Sequence, residues 1–255
     1  MNRLEKINFI RRKLESGEAS IGSWMQIPDA SVAEIMGRGG YDWIAVDMEH
    51  GSIAVHQLPN LFRSLELGGT LPMARLAKGS SKDCKQALDA GAGGVIIPMI
   101  ETAEQLEENV QFCCWPPKGK RGVGFSRANL FGENFNEYFT EAQHPLIVAQ
   151  IESIKAVDNL DSICKISGLD ALIVGPYDLS ASMNLTGDFD HPTFKAAMKS
   201  IIAIAIKNKV PCGMHIVNPI PNELEINLKN GYRFIAYSID AVFLRKAIEI
   251  PLIQN

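Results

Sequence analysis

Gly40–Gly51 reads GYDWIAVDMEHG, and this stretch decides the fold. A glycine-led turn gives way to the apolar run Trp43–Val46, which stops abruptly at Asp47, Glu49 and His50. A short run without polar alternation is the pattern of a strand covered on both faces, as in parallel sheets. Such strands need a crossover connection, usually a helix. The residues behind this one supply it: Val55–Leu67 has helical spacing and ends at Gly68-Gly69, where glycine closes a helix at little steric cost.

The same unit recurs outward in both directions. Apolar runs fall at Ile21–Ile27, Trp43–Glu49, Leu71–Leu76, Gly94–Ile100, Leu146–Glu152, Ala171–Pro176, Pro211–Val217 and Phe234–Asp240. Helical patterns lie between them, at Ser31–Gly37 with Ser31 as its cap, Lys82–Ala90, Ala103–Phe112, Ile154–Ile166, Pro192–Lys209 and Asn222–Lys229. Ahead of the first run, Leu4, Ile7, Phe9, Ile10 and Leu14 make an amphipathic N-terminal helix rather than a secretory leader. Eight strand–helix units in a 255-residue chain predict one α/β domain over residues 1–255, a (β/α)8 TIM barrel. The rival, a doubly wound sheet, would carry a glycine-rich phosphate turn after its first strand. Pro28-Asp29-Ala30-Ser31 stands there instead.

Composition narrows the function classes. The net charge is −4 and no basic block occurs, which argues against nucleic acid. No apolar run approaches the roughly 20 residues of a membrane helix, so no membrane is expected either. The five cysteines lack C-x-x-C spacing and are expected to be reduced, buried thiols of a cytoplasmic protein.

Barrel enzymes work at the C-terminal ends of their strands, and there the charged residues collect. Strand 2 ends in Asp47, Glu49 and His50, strand 3 in Arg75, strand 5 in Gln150 and Glu152, strand 6 in Gly175, Tyr177 and Asp178. Glu152 and Asp178 end neighbouring strands about 4.8 Å apart, so one hard cation with oxygen ligands such as Mg²⁺ or Mn²⁺ fits both. The alternative is two rim carboxylates paired with nearby Lys or Arg. Arg75 is placed to hold a substrate carboxylate or an enolate oxygen, or to form a structural ion pair with Glu49. His50 beside two acids is either a base or a solvated loop residue. The turn at Gly175 offers backbone amides to a carboxylate, or is simply a turn. None of the runs contains a lysine, which favours an enolate held by metal over a Schiff base.

From Ile21 to Leu244 the chain resembles the class II (metal-dependent) 2-oxo acid aldolases of the HpcH/HpaI family. The resemblance rests on GYDWIAVDMEHG (40–51), QALDAGAGGVIIPMIET (86–102), KRGVGFSRANLFG (120–132), QIES (150–153) with AVDNL (156–160), and GPYDLS (175–180). It implies Mg²⁺, Mn²⁺ or Co²⁺ held by Glu152 and Asp178 and chelating pyruvate. It assigns Arg75 to the enolate oxygen, His50 paired with Asp89 to proton transfer, Gln150 to the metal's surroundings, and Glu49 to the same cluster. It also implies a 2-oxo acid and an aldehyde as substrates, and a homo-oligomer, from dimer to hexamer. The chain departs from the family pattern at Tyr177, usually small; at Leu76-Ala77-Lys78, where a proline is common; at Tyr237-Ser238; and at His215, usually apolar. Two other readings share these residues: an oxaloacetate decarboxylase using the same enolate site, and a barrel kept only for binding.

Overall fold

The structure is a computed structural model and describes residues 1–248. The eight apolar runs form eight parallel strands, β1 (Ser20–Met25), β2 (Trp43–Asp47), β3 (Leu71–Arg75), β4 (Gly94–Ile97), β5 (Leu146–Ile151), β6 (Ala171–Val174), β7 (Cys212–Ile216) and β8 (Phe234–Ile239). They close in chain order, β8 pairing with β1. The helices are α1 (Arg3–Glu15), α2 (Ala30–Gly37), α3 (Leu58–Gly68), α4 (Ser81–Asp89), α5 (Ala103–Cys113), α6 (Phe135–Ala142), α7 (Ile154–Asp158), α8 (Leu160–Ile163), α9 (Pro176–Ser182), α10 (Pro192–Lys207), α11 (Pro221–Lys229) and α12 (Asp240–Ala247). Among the described residues no helix is long and apolar enough to cross a membrane.

Two apolar layers form because β2 to β6 are buried throughout and β1, β7 and β8 nearly so, which covers both faces of the sheet. The outer layer packs strand residues such as Ile44, Val46, Val95 and Leu172 against Leu61, Phe62, Leu65, Leu88 and Ile201 of the surrounding helices. The inner layer fills the cylinder with Trp24, Trp43, Leu71, Met73, Leu146, Val148, Ile173 and Phe234. Trp43 and Phe234 lie face to face at 4.4 Å. The room for them comes from Gly22, where an added Cβ would meet the Trp43 ring at 2.1 Å.

Helix α1 closes the N-terminal end of the cylinder. Its stripe of Ile7, Ile10 and Leu14 joins the inner layer, each burial stabilising by about 1.5–3 kcal/mol. Asn2 and Glu5 form a reciprocal cap, and ion pairs from Arg11 to Asp170 and from Lys13 to Asp42, both 2.7 Å, tie the helix down. Arg3 adds pairs to Glu141 and Glu66.

Three expectations need correction. Helix α2 is capped by Asp29, whose Oδ1 accepts from the amides of Ser31 (2.8 Å) and Val32 (3.2 Å), not by Ser31. Ile154–Ile166 is not one helix but α7 and α8, broken at Asn159, whose side chain reaches across to the Glu101 carbonyl. The strands also stop one to several residues before their apolar runs do, because the last residues turn out of the ladder to build the face described next.

Candidate active site

Strand register assembles the site. In the β2–β3 ladder Asp47 lies beside Arg75, and the two side chains meet in a fork: Nε donates to Oδ1 at 2.8 Å and Nη2 to Oδ2 at 2.6 Å. The guanidinium lies 4.4 Å over the Trp24 ring. Asp47 is fully buried and also accepts from Gln26 Nε2 and from the amides of Glu49 and His50. Thus one buried carboxylate fixes both the arginine and the loop that carries Glu49 and His50. Burial alone would raise the Asp47 carboxyl, but its hydrogen bonds to Arg75 and Gln26 and the Arg75 charge hold it below the usual range. Arg75 Nη1 stays on the cavity side, 3.3 Å from Glu49 Oε2 and out of line for a hydrogen bond.

The second half comes from β5 and β6, where Ile151 aligns with Val174. The next residues, Glu152 and Gly175, therefore face each other: a Cβ on Gly175 would lie 2.8 Å from Glu152 Oε2. Glu152 is 2% exposed. Its Oε1 accepts from the Met99 amide at 2.6 Å, and its Oε2 accepts from Gln150. Met99 holds φ 53, a strained left-handed conformation for a side-chain-bearing residue, and that conformation goes with the aim of its amide. Asp178 follows in the first turn of α9, where the helix N-terminus favours a carboxylate, and is exposed toward the cavity.

The electrostatics are dominated by acids. Burial pushes the Glu49 carboxyl up to about 7; Arg75 opposes the rise, while Glu152, Asp47 and Asp178 add to it. Glu152 is raised chiefly by burial, with Asp178 adding and the Gln150 and Met99 donors opposing. Four carboxylates that feel one another, set against Arg75, make a site short of positive charge, and hard oxygen donors suit a divalent cation. The residues present therefore fit such an ion. Among the described residues no group of three or more His, Cys, Asp or Glu side chains forms a ready-made metal cage. Substrate and water oxygens would have to complete the shell that Glu152 and Asp178 begin.

A cavity of about 240 Å³ opens between these halves, lined by Trp24, His50, Arg75, Gln150, Tyr177 and Asp178 among others. It brings together most of the residues expected from sequence; Glu152 is bonded to its Gln150 and Glu49 lies 3.3 Å from its Arg75. Two expectations change. The Gly175 amide donates to the Ile151 carbonyl at 3.1 Å, so only the later amides of the turn remain for a substrate carboxylate; Gly175 itself leaves the space beside Glu152. Asp89 ends α4, just ahead of β4 and so at the N-terminal end of the barrel, where its charged neighbours are Arg121 and Lys85. One chain does not bring Asp89 to His50.

The sequence reading missed Trp24, Gln26 and the Met99 amide as parts of the site. Gln26 follows β1 directly and carried a readable signal, a polar residue at a strand end. The Met99 amide carried none, because its role is set by backbone conformation.

The HpcH/HpaI aldolase/citrate lyase family matches residues 20–247. A hydroxypyruvate/pyruvate aldolase of Roseobacter denitrificans is 34% identical over 241 residues, 93% of each chain. A 2-keto-3-deoxy-L-rhamnonate aldolase of Klebsiella pneumoniae is 35% identical over 246 residues, covering 95% of this chain and 91% of that protein. The crystal structure of a family protein from Burkholderia cenocepacia superposes with a TM-score of 0.88 at 31% identity, over 94% of this chain and 96% of that one.

Proposed function

Because the chain belongs to the HpcH/HpaI aldolase/citrate lyase family, we propose that it is a divalent-metal-dependent carbon–carbon lyase. It cleaves or forms 4-hydroxy-2-oxo acids through the enolate of pyruvate. The observation that carries this reading is the strand-end cluster: a stacked, forked arginine facing carboxylates that lack a matching positive charge.

Glu152 and Asp178 would hold the cation, Mg²⁺, Mn²⁺ or Co²⁺. When bound, the ion supplies a Lewis acid for the 2-oxo group. The protein's own residues do the rest. In the cleavage direction the 4-hydroxyl loses its proton, the C3–C4 bond breaks, and its electron pair passes to C3 and the 2-oxo oxygen. Arg75 is pre-aimed at that oxygen by Asp47 and Trp24, so no reorganisation is needed as charge develops. His50, on the loop fixed by Asp47, reaches the same cavity and carries the proton. Gln150 keeps Glu152 in place, and Glu49 sets the charge facing Arg75. Asp89 takes part only if a second copy of the chain brings it to the site.

We also propose a homo-oligomer, supported by exposed Phe125 (74%) and Phe131 (68%) on one loop. A cytoplasmic location is supported by five buried, unpaired cysteines. The test of the function is pyruvate release from a panel of 4-hydroxy-2-oxo acids with Mn²⁺, repeated with chelator and in Glu152→Ala/Asp178→Ala. Chelator and double variant should each abolish release. Full activity in the purified double variant sinks the mechanism. Turnover of oxaloacetate alone would favour the decarboxylase instead.

A further inference from the structure

Resting on the aldolase reading, we propose that His215 determines specificity: it recognises a hydroxyl on the aldehyde partner and so selects short hydroxyaldehydes over their deoxy counterparts.

The argument begins with register. In the β7–β8 ladder Gly213 pairs with Phe234 and His215 with Ala236. Phe234 and Ala236 both belong to the inner layer, so His215 points into the cylinder as they do. Its ring meets Trp24 edge to face at 5.7 Å and lines the cavity, next to Ile173, Val217 and Ile239. This wall of the cavity is therefore apolar, with an imidazole set into it.

His215 Nε2 is buried and has no hydrogen-bond partner. A buried polar atom left unsatisfied costs about 1–3 kcal/mol, and native structures rarely leave one without a reason. Among the described residues none bonds to Nε2, and His215 lines the cavity, so the ligand is the partner this proposal gives it. The chemistry of that partner follows from the ring's surroundings. Burial, with Arg75 beside it, pushes the imidazole down to about 3 despite the opposing charge of Asp47, so the ring is neutral at working pH. A neutral ring has one N–H and one lone pair and matches a hydroxyl, which both donates and accepts. Arg75, Gln150 and Asp178 line the same cavity and are taken up by the 2-oxo acid in the proposed function, which leaves His215 for the second substrate. The cavity, at about 240 Å³, is below the usual range of ligand pockets. A cavity of this size restricts the second substrate to a short chain, and Val217, Ile239 and Trp24 line it together with His215.

A site that pairs with a hydroxyl discriminates strongly against the analogue lacking it, because its own polar group is then left unpaired. The test measures kcat/KM for addition of pyruvate to lactaldehyde and to propanal, and to glycolaldehyde and acetaldehyde, with Mg²⁺ present. Wild type should prefer each hydroxylated partner by about 10- to 100-fold, the equivalent of one buried hydrogen bond. His215→Phe, which keeps the ring, and His215→Leu should bring the ratio to within about threefold, chiefly by losing the hydroxylated partner. A wild-type ratio near one, or an unchanged ratio in a folded variant, overturns the proposal. A further measurement needs no variant: the ring ¹⁵N shifts of His215 should move when lactaldehyde joins pyruvate and Mg²⁺, and stay in place with propanal. Equal response to both partners also overturns it. Exchange of the pyruvate methyl protons with deuterium separates the two levels. If exchange is absent in wild type, the aldolase reading itself fails; if exchange persists without hydroxyl preference, only the role of His215 fails.

Discussion

Replacing Arg75 by methionine should cost more in folding than in any single contact at the site, and the reason is Asp47. That carboxylate is fully buried, and two of its hydrogen bonds come from Arg75, at 2.8 and 2.6 Å. Removing one partner of a buried pair strands the other, at a cost of about 3–5 kcal/mol. Losing the stack on Trp24, 4.4 Å away, adds about 1 kcal/mol. For a chain of this size each kcal/mol shifts the melting temperature by roughly 2–4 °C, so Arg75→Met should melt about 8–24 °C lower. The pH dependence has a definite sign. In wild type Asp47 is held below the usual carboxylate range, so its contribution is present at neutral pH and is lost as pH falls through its folded value. In Arg75→Met burial is opposed only by Gln26 and the loop amides and Asp47 takes up a proton more readily, so the deficit relative to wild type should shrink as pH falls from 7 toward 4. Asp47→Asn in the same background should restore about 2 kcal/mol by removing the stranded charge. Urea and thermal unfolding of the metal-free proteins at several pH values read all of this. A single variant within about 1 kcal/mol of wild type, or no rescue by the second substitution, would refute the reasoning.

Two further outcomes follow from the same geometry. The Glu49 carboxyl is raised to about 7, so its stabilising contribution in the metal-free protein is complete below about 4.5 and disappears as pH rises through 7. Glu49→Gln, always neutral, should therefore be the more stable protein above pH 7, by at most about 3 kcal/mol, with the gap closing near pH 5; equal melting at pH 8 would count against the burial argument. Gly175→Ala should push Glu152 aside, since the new Cβ would sit 2.8 Å from Oε2, and should weaken divalent-ion binding about 10- to 100-fold. Unchanged Mn²⁺ affinity by calorimetry would mean that Glu152 does not contribute to the ion site.

What the sequence revealed, and what it hid, divides by physical cause. The strands were legible because Trp43–Val46, Leu146–Ala149 and Ala171–Val174 must be apolar on both faces, leaving no period to misread. Glu152, Asp178, Arg75 and Gln150 were legible as site candidates because a charged or polar group at a strand end has few other uses. Asp89 was read into the site from its motif, but α4 carries its last residue to the far end of the barrel, a displacement no local pattern records. Segment 115–142 has no readable period, since prolines and glycines mask both the irregular turn at Arg127–Gly132, with Leu130 and Phe131 at positive φ, and helix α6. Gly175 reads as part of an amide-bearing turn, and the space it leaves beside Glu152 becomes visible only once the facing strand is in place.

Helix α1 gives the molecule a dead end and a working end. The blocked end holds large interlocking side chains that answer for thermal endurance, while the strand tips opposite carry the recognition groups. Selection can therefore rework the tips, one loop at a time, to accept a different aldehyde without disturbing the foundation beneath. Random libraries should show the split directly: heat resistance should vary with changes around Ile10, Trp43 and Phe234, and substrate preference with changes near Val217, Tyr177 and Ile239.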